Sequence, residues 1–106
     1  MKISEIQEHA EDLCRKNGWL DRTPDQRFRY LISEIGELSN DLIKLNQTDN
    51  DSEELKRKIG HEMFDVMWNI CDLANLLEID LEKCASEKRD LNNQRDFGNV
   101  TSYMKK

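Results

Sequence analysis

The sequence is poor in the residues that interrupt helices or favour sheets. Its 106 residues include one proline and four glycines, and only 7% are aromatic. Charged residues make up 36% of the chain and hydrophobic residues 37%, a balance typical of long helices that face solvent. A chain of this length forms one domain and buries a smaller share of its surface than a larger domain does. We therefore predict an all-α domain, completed by oligomerisation.

The chain also lacks a basic face, a long apolar run and paired cysteines. A formal net charge of -6 argues against a protein that grips nucleic acid by its phosphates. No apolar run is long enough to cross a bilayer or to act as a secretory signal. Cys14, Cys71 and Cys84 form no C-x-x-C pair, so we interpret them as reduced core or interface thiols. We expect a cytoplasmic protein without a membrane or nucleic-acid partner.

The charge is distributed unevenly along the chain. Residues 1–82 hold 10 Lys and Arg against 19 Asp and Glu, whereas residues 83–106 hold 6 against 3. An acidic body with a basic tail is suited to a ligand that combines a metal ion with phosphate.

Four segments repeat apolar residues at three- and four-residue steps, the period of an amphipathic helix. Thr23 and Pro24 resemble an N-cap and a first helical position, and Asp51 or Ser52 and Asp80 are candidate caps of later helices. The predicted helices cover about 2–17, 24–45, 52–77 and 81–95, with a polar loop at 46–52. Two of them are long enough to lie against each other in a four-helix bundle. We assign residues 1–96 to the domain and 97–106 to a C-terminal tail.

Two pairs of acidic residues stand beside the apolar stripes of the second and third helices. Glu34 and Glu37 are three residues apart, as are Glu62 and Asp65, so each pair shares a helical face. At about 100° per residue, both pairs lie on the same side of stripes centred on Ile35 and Ile70. We predict that these stripes face the core. Antiparallel helices could then join four carboxylates, whose repulsion a hard cation such as Mg²⁺ or Mn²⁺ would relieve. Ordinary solvated acids remain the alternative.

The two pairs and their surroundings resemble the E-x-x-E…E-x-x-D signature of the MazG-like all-α nucleotide pyrophosphohydrolases. The segments 31–38, LISEIGEL, and 60–68, GHEMFDVMW, match in order. The stretch LEIDLE at 77–82 resembles the turn before the family's last helix, with Glu78 where a glycine is common. Lys88, Asn92, Asn93 and Arg95 resemble its K-x-x-x-N-x-x-R ending. Ser33 stands where many members have a second acid.

The resemblance implies a Mg²⁺-dependent enzyme, with Mn²⁺ as an alternative metal, that hydrolyses a nucleoside triphosphate to its monophosphate and pyrophosphate. Metal-activated water would attack the α-phosphorus. The implied ligands are Glu34, Glu37, Glu62 and Asp65, and the catalytic carboxylates are Glu37 and Glu34. The implied substrate-binding residues are Lys88, Asn92, Arg95, Trp68 and Trp19.

The same resemblance implies a homodimer or homotetramer. Trp68 lies with Phe64 and Cys71 on a second apolar flank of the third helix, and we predict that this flank contacts another subunit. The alternative role for Trp68 is packing. The alternative for Lys88, Asn92 and Arg95 is that they belong to a solvated helix end.

Other functions are compatible with parts of the pattern. A non-catalytic oligomeric helical interaction module would keep the apolar stripes without needing the acid pairs, and a phosphoribosyl-ATP pyrophosphohydrolase shares the fold. A di-iron bundle would require Glu-x-x-His on two helices, and a zinc protease H-E-x-x-H. Asp65 follows Glu62 at the position where either motif needs histidine, so neither is present.

Overall fold

A computed structural model describes residues 1–48 and 52–95 and contains four helices and no strand in these ranges. The helices are α1 (Ile3–Lys16), α2 (Pro24–Gln47), α3 (Glu53–Leu76) and α4 (Leu81–Gln94). The all-α class and the four predicted helices are confirmed, with ends that differ by a few residues. Asp51 and the tail at 97–106 lie outside the described residues. None of the described helices is long and apolar enough to cross a membrane.

Side-chain caps explain where three of the helices begin. Thr23 accepts a hydrogen bond from the amide of Gln26, and Pro24 occupies the first turn of α2. Ser52 caps α3 by accepting from the amide of Leu55, and Asp80 caps α4. Each cap satisfies a backbone donor that has no partner within its helix. The caps predicted at Thr23, Ser52 and Asp80 are therefore present.

α3 ends in a turn that requires an unusual backbone conformation. Glu78 has φ +56°, in the left-handed region that favours glycine. The amide of Ile79 donates to the carbonyl of Ala74 at 2.8 Å, so the turn closes over the last carbonyls of the helix. This is the position at which the MazG-like family, whose motif the sequence resembles, commonly has glycine. Glu78 keeps the turn at a cost in backbone strain.

The core differs from the predicted one. α2 and α3 form the main helix pair, and α1 packs across α3 while α4 packs mainly on α1. The centres of the two predicted stripes, Ile35 and Ile70, are exposed in the single chain, whereas Leu31, Ile59 and Ala74 of the same stripes are buried. The prediction that the stripes face the core is therefore wrong at their centres. The buried face of α2 is rotated by roughly 60–80° from the predicted stripe, toward Glu34. Its members follow a repeat of four and three residues: Arg27, Leu31, Glu34, Leu38, Asp41 and Leu45.

α1 covers the flank of α3 that we expected to contact another subunit. Cys71 is buried and Phe64 and Trp68 are half-buried, beside His9 and Leu13 of α1. Polar contacts hold the two helices together, because Gln7 and Asn75 exchange two hydrogen bonds of 2.9 and 2.8 Å. In the single chain, Trp68 and its neighbours therefore pack within the domain.

Candidate functional site

The structure brings the four predicted acids to neighbouring positions along the α2–α3 pair. Glu62 is buried, with 6% of its surface exposed, and Glu34 is half-buried, whereas Glu37 and Asp65 are exposed. Electrostatic interactions link Glu34 to both Glu37 and Asp65, and Glu37 to Glu62. Negative charge is therefore concentrated along one seam between two helices.

A fifth carboxylate, which the sequence did not single out, belongs to the same cluster. Asp41 lies one helical turn beyond Glu37 on α2 and is only 2% exposed. Its carboxylate forms ion pairs with Lys58 Nζ at 3.2 Å and Lys44 Nζ at 3.6 Å. The five carboxylates, hereafter the acid cluster, thus face only these two lysines as ion-pair partners in the described residues.

Burial and neighbouring groups shift the pKa values of three acids in the acid cluster. Burial raises the pKa of Glu34, and the charges of Glu37 and Asp65 raise it further. Burial also raises the pKa of Glu62, followed by the effect of Asp41. The pKa of Asp41 is lowered, chiefly by its interaction with the neighbouring carboxyl of Glu62 and also by Lys58 and Lys44. Burial and the neighbouring acids therefore both make ionisation of Glu34 and Glu62 less favourable.

The acid cluster fits a divalent cation by its chemistry. Glu62 Oε1 is buried without a hydrogen-bond partner among the described residues, and buried Asp41 Oδ2 faces only Lys58 Nζ, at 3.2 Å. Such oxygens are the ligands that Mg²⁺ and Mn²⁺ prefer. Among residues 1–48 and 52–95, no three His, Cys, Asp or Glu side chains already converge on one point as a metal site would. The acids are therefore close to one another, but their side chains are not arranged around a single metal position.

An aromatic cleft begins at the Glu34 and Asp65 end of the acid cluster. It encloses about 370 Å³, within the range of small-molecule sites. A second cleft of about 430 Å³ adjoins it, and both are lined by Trp19, Arg27 and Tyr30. The remaining lining of the first cleft is His9, Leu13, Glu34, Phe64, Asp65, Trp68 and Asn69.

The two predicted stacking residues differ in what they can offer a ligand. Trp19 is 46% exposed and lines both clefts. Trp68 is half-buried, and the guanidinium of Arg27 lies over its ring at 4.9 Å from the centroid. That contact is a cation–π interaction and covers one face of the indole. Trp19 is therefore the better platform for a base. Tyr30, which the sequence analysis did not single out, is a second, because it is 65% exposed although Arg27 lies over its ring at 5.6 Å.

A buried ionic network forms the floor behind these clefts. Asp72 is fully buried, and its two oxygens accept hydrogen bonds from Arg22 at 2.7 and 3.0 Å. Arg27 Nε lies 2.8 Å from Asp72 Oδ2 as an ion pair, without hydrogen-bond alignment. Cys14 Sγ is 3.7 Å from both oxygens, and Glu11 accepts from Arg22 at 2.8 Å. The hydrogen bonds to Asp72 raise the pKa of Arg22 above its ordinary value. Two arginines and two acids balance in charge.

The predicted phosphate-binding residues lie on a different element. Lys88 and Asn92 are exposed on α4, and Arg95 follows its last turn. α4 is tied to α1, where the amide and hydroxyl of Ser4 both donate to Glu82 Oε1 at 3.2 Å. These residues are not among those that line the two clefts beside the acid cluster.

Fold and site together define an all-α protein with a carboxylate cluster beside an aromatic cleft. The chain is similar to the uncharacterized protein YvdC of Bacillus subtilis (strain 168), with 26% identity over 89 residues, which cover 77% of this chain and 84% of that protein. No protein-family model and no solved structure matches the chain.

Proposed function

We propose that this protein is a Mg²⁺-dependent nucleoside triphosphate pyrophosphohydrolase of the MazG type. The observation that carries the proposal is the acid cluster between α2 and α3, which meets an aromatic cleft at Glu34 and Asp65. A group of partly buried like charges costs stability unless a cation joins it. A purely structural helix pair has no need for that cost, whereas a triphosphate substrate requires the same cation.

The acids have distinct roles in the proposed reaction. Glu34, Glu37, Glu62 and Asp65 would hold Mg²⁺ or Mn²⁺, which would neutralise charge on the phosphates and make water easier to deprotonate. Glu37 is exposed at the centre of the cluster and accepts the proton of the water that attacks the α-phosphorus. Glu34 lies one turn earlier on α2 and is the second catalytic carboxylate. The products are a nucleoside monophosphate and pyrophosphate.

The cleft holds the nucleoside in this proposal. Trp19 and Tyr30 are exposed aromatic rings beside the acid cluster, and base–aromatic stacking is available to every base. Trp68 supports the pocket wall through Arg27 rather than stacking directly. The base therefore lies at the aromatic end of the cleft and the phosphates at the carboxylate end.

A second copy of the chain completes the proposed enzyme as a homodimer or homotetramer. α2 and α3 leave an apolar surface uncovered in the single chain, and monomeric proteins rarely expose a large one. Its exposed residues are Phe28, Ile32, Ile35, Leu42, Met63, Met67, Ile70 and Leu77. Lys88, Asn92 and Arg95 keep the phosphate-binding role implied by the family resemblance. α4 packs mainly on α1 rather than on the α2–α3 pair that carries the acid cluster. In this proposal Lys88, Asn92 and Arg95 therefore bind phosphates held at the acid cluster of a neighbouring copy.

A nucleotide panel with pyrophosphate detection tests the proposal. Canonical, deoxy and modified nucleoside triphosphates and phosphoribosyl-ATP are incubated with the protein and Mg²⁺. We expect pyrophosphate from at least one of them, and its loss in Glu62→Gln. Glu54→Gln, two turns earlier on the same helix, is the matched control and retains activity. Inactivity of the wild type on the whole panel would contradict the proposal.

Thermal stability separates the enzyme from an interaction module that has the same fold. Mg²⁺ should raise the melting temperature of the wild type and of Glu54→Gln, because a ligand that binds only the folded state stabilises it. Glu62→Gln should lose that increase. Equal responses of the two variants would favour the module, whose apolar surface would still associate.

A further inference from the structure

Arg27 occupies the junction of the two clefts and is held there from several directions. Nε faces Asp72 Oδ2 at 2.8 Å, and Nη1 donates to Asn69 Oδ1 at 2.9 Å. The guanidinium lies over the rings of Trp68 and Tyr30, at 4.9 and 5.6 Å from their centroids. Its side chain is only 10% exposed. Little conformational entropy remains to be lost when a ligand meets this group.

One end of the guanidinium is left for a ligand. Nη2 carries two N–H donors and has no hydrogen-bond partner in residues 1–48 and 52–95, yet it is not sealed from solvent. Asn69 cannot turn away to serve another partner easily, because its amide nitrogen donates to the carbonyl of Asp65 at 2.7 Å. The structure therefore presents a fixed pair of donors in a nucleotide-sized cleft.

The position of Arg27 assigns it to the base rather than to the phosphates. Arg27 and Glu34 are seven residues apart on α2, about 10 Å along the helix axis. The phosphates lie at the Glu34 end in the proposed function, so the sugar spans the interval and the base reaches Arg27. Charge supports this assignment. Arg22 and Arg27 are balanced by Asp72 and Glu11, so the junction is not a strong anion site and suits a neutral oxygen acceptor.

We propose that Arg27 contacts the nucleobase and gives the cleft a preference for bases that carry an oxo group over bases that carry an amino group at the equivalent ring position. Uracil O4, thymine O4 and guanine O6 accept hydrogen bonds, whereas the amino groups of cytosine and adenine donate them. If an amino group of the base faced the N–H groups of Arg27, both donors would lack an acceptor in the cleft. The inference rests on the proposed function for the direction in which the nucleotide lies.

Binding of monophosphates without metal tests the preference independently of hydrolysis. Trp19 and Trp68 line the cleft, so their fluorescence reports binding of UMP, CMP, GMP and AMP in the presence of a chelator. We expect UMP and GMP to bind about tenfold to a hundredfold more tightly than CMP and AMP. Equal affinities for the four nucleotides, or no binding of any, would overturn the inference.

A matched pair of variants assigns the preference to Arg27. Arg27→Met keeps an unbranched side chain against Trp68 and should bring the UMP-to-CMP affinity ratio close to one. Arg29→Met makes the same change on the exposed side of α2 and should keep the ratio. Retention of the ratio in folded Arg27→Met, as judged by circular dichroism, would refute the role of Arg27. Since that variant could unfold, the wild-type ratio stands as a separate test.

Hydrolysis distinguishes the failure of this inference from that of the proposed function. If oxo-base monophosphates bind preferentially but no triphosphate releases pyrophosphate, the proposed reaction is wrong and the base contact stands. If all triphosphates are hydrolysed with equal kcat/KM and Arg27→Met is no different, the reaction stands and the base contact is wrong.

Discussion

Truncation of Asp72 should destabilise this domain more than the loss of any other single carboxylate that we have described. Asp72→Ala removes two hydrogen bonds of 2.7 and 3.0 Å to Arg22 and an ion pair of 2.8 Å to Arg27. It leaves both guanidinium groups at least nine-tenths buried, Arg22 with Glu11 and the carbonyl of Leu20 and Arg27 with Asn69 as hydrogen-bond partners. Breaking a buried ion pair from one side costs about 3–5 kcal/mol. A domain has about 5–15 kcal/mol in total, so a large part of the stability is lost.

The surface offers a matched control for this substitution. Asp12 and Arg15 form an ion pair of 3.2 Å in which both side chains are at least 60% exposed. Asp12→Ala should cost less than about 1 kcal/mol, because solvent screens exposed pairs. Urea unfolding followed by circular dichroism gives both free energies, at one fixed protein concentration since association would add to them. A cost for Asp72→Ala as small as that for Asp12→Ala would refute the reasoning.

Three further predictions follow from other parts of the structure. Because the raised pKa of Glu34 favours its protonated form in the folded state, ionisation of Glu34 costs stability as the pH rises above the ordinary carboxyl range. In chelator, Glu34→Gln should therefore unfold at a higher temperature than the wild type at pH 7 but not at pH 4; equal melting temperatures at pH 7 would contradict this. Glu78→Gly should raise the free energy of unfolding by about 0.5–1 kcal/mol, because glycine adopts the left-handed conformation without strain, and a loss of stability in urea would count against it. Ile35→Asp places a charge on the exposed apolar surface of α2–α3 and should give monomers in sedimentation velocity, where a monomeric wild type would exclude the proposed oligomer.

The helices could be predicted from the sequence because their determinants are local. Thr23 and Pro24 begin α2, and Ser52 and Asp80 cap the next two helices, as their positions before apolar repeats indicate. Each cap depends on a hydrogen bond to an amide three residues away. Such contacts need no knowledge of the tertiary fold.

The buried face of α2 could not be predicted in the same way. Apolar periodicity centres the stripe of α2 on Ile35, and Phe28, Ile32 and Ile35 are exposed in the single chain. The buried face instead includes Arg27, Glu34 and Asp41, whose burial depends on partners elsewhere in the chain. Arg27 is compatible with burial only because Asp72, 45 positions later in the sequence, neutralises it. The regular spacing of four and three residues indicates this face, but a pattern based on hydrophobicity alone omits its charged members.

The acid cluster shows why a motif alone does not define the charge of a site. Ser33 appeared to leave the cluster one acid short of the family pattern, yet Asp41 supplies a fifth carboxylate from further along α2. Lys58, one turn before Glu62 on α3, is 59% exposed and forms an ion pair with nearly buried Asp41. Five acids against Lys44 and Lys58 leave three negative charges if every group is ionised. Burial raises the pKa values of Glu34 and Glu62, and the neighbouring acids raise them further. A divalent cation would offset most of these three negative charges. The fold therefore supplies the charge that the proposed metal site needs, although no three of the described acids yet converge on one point.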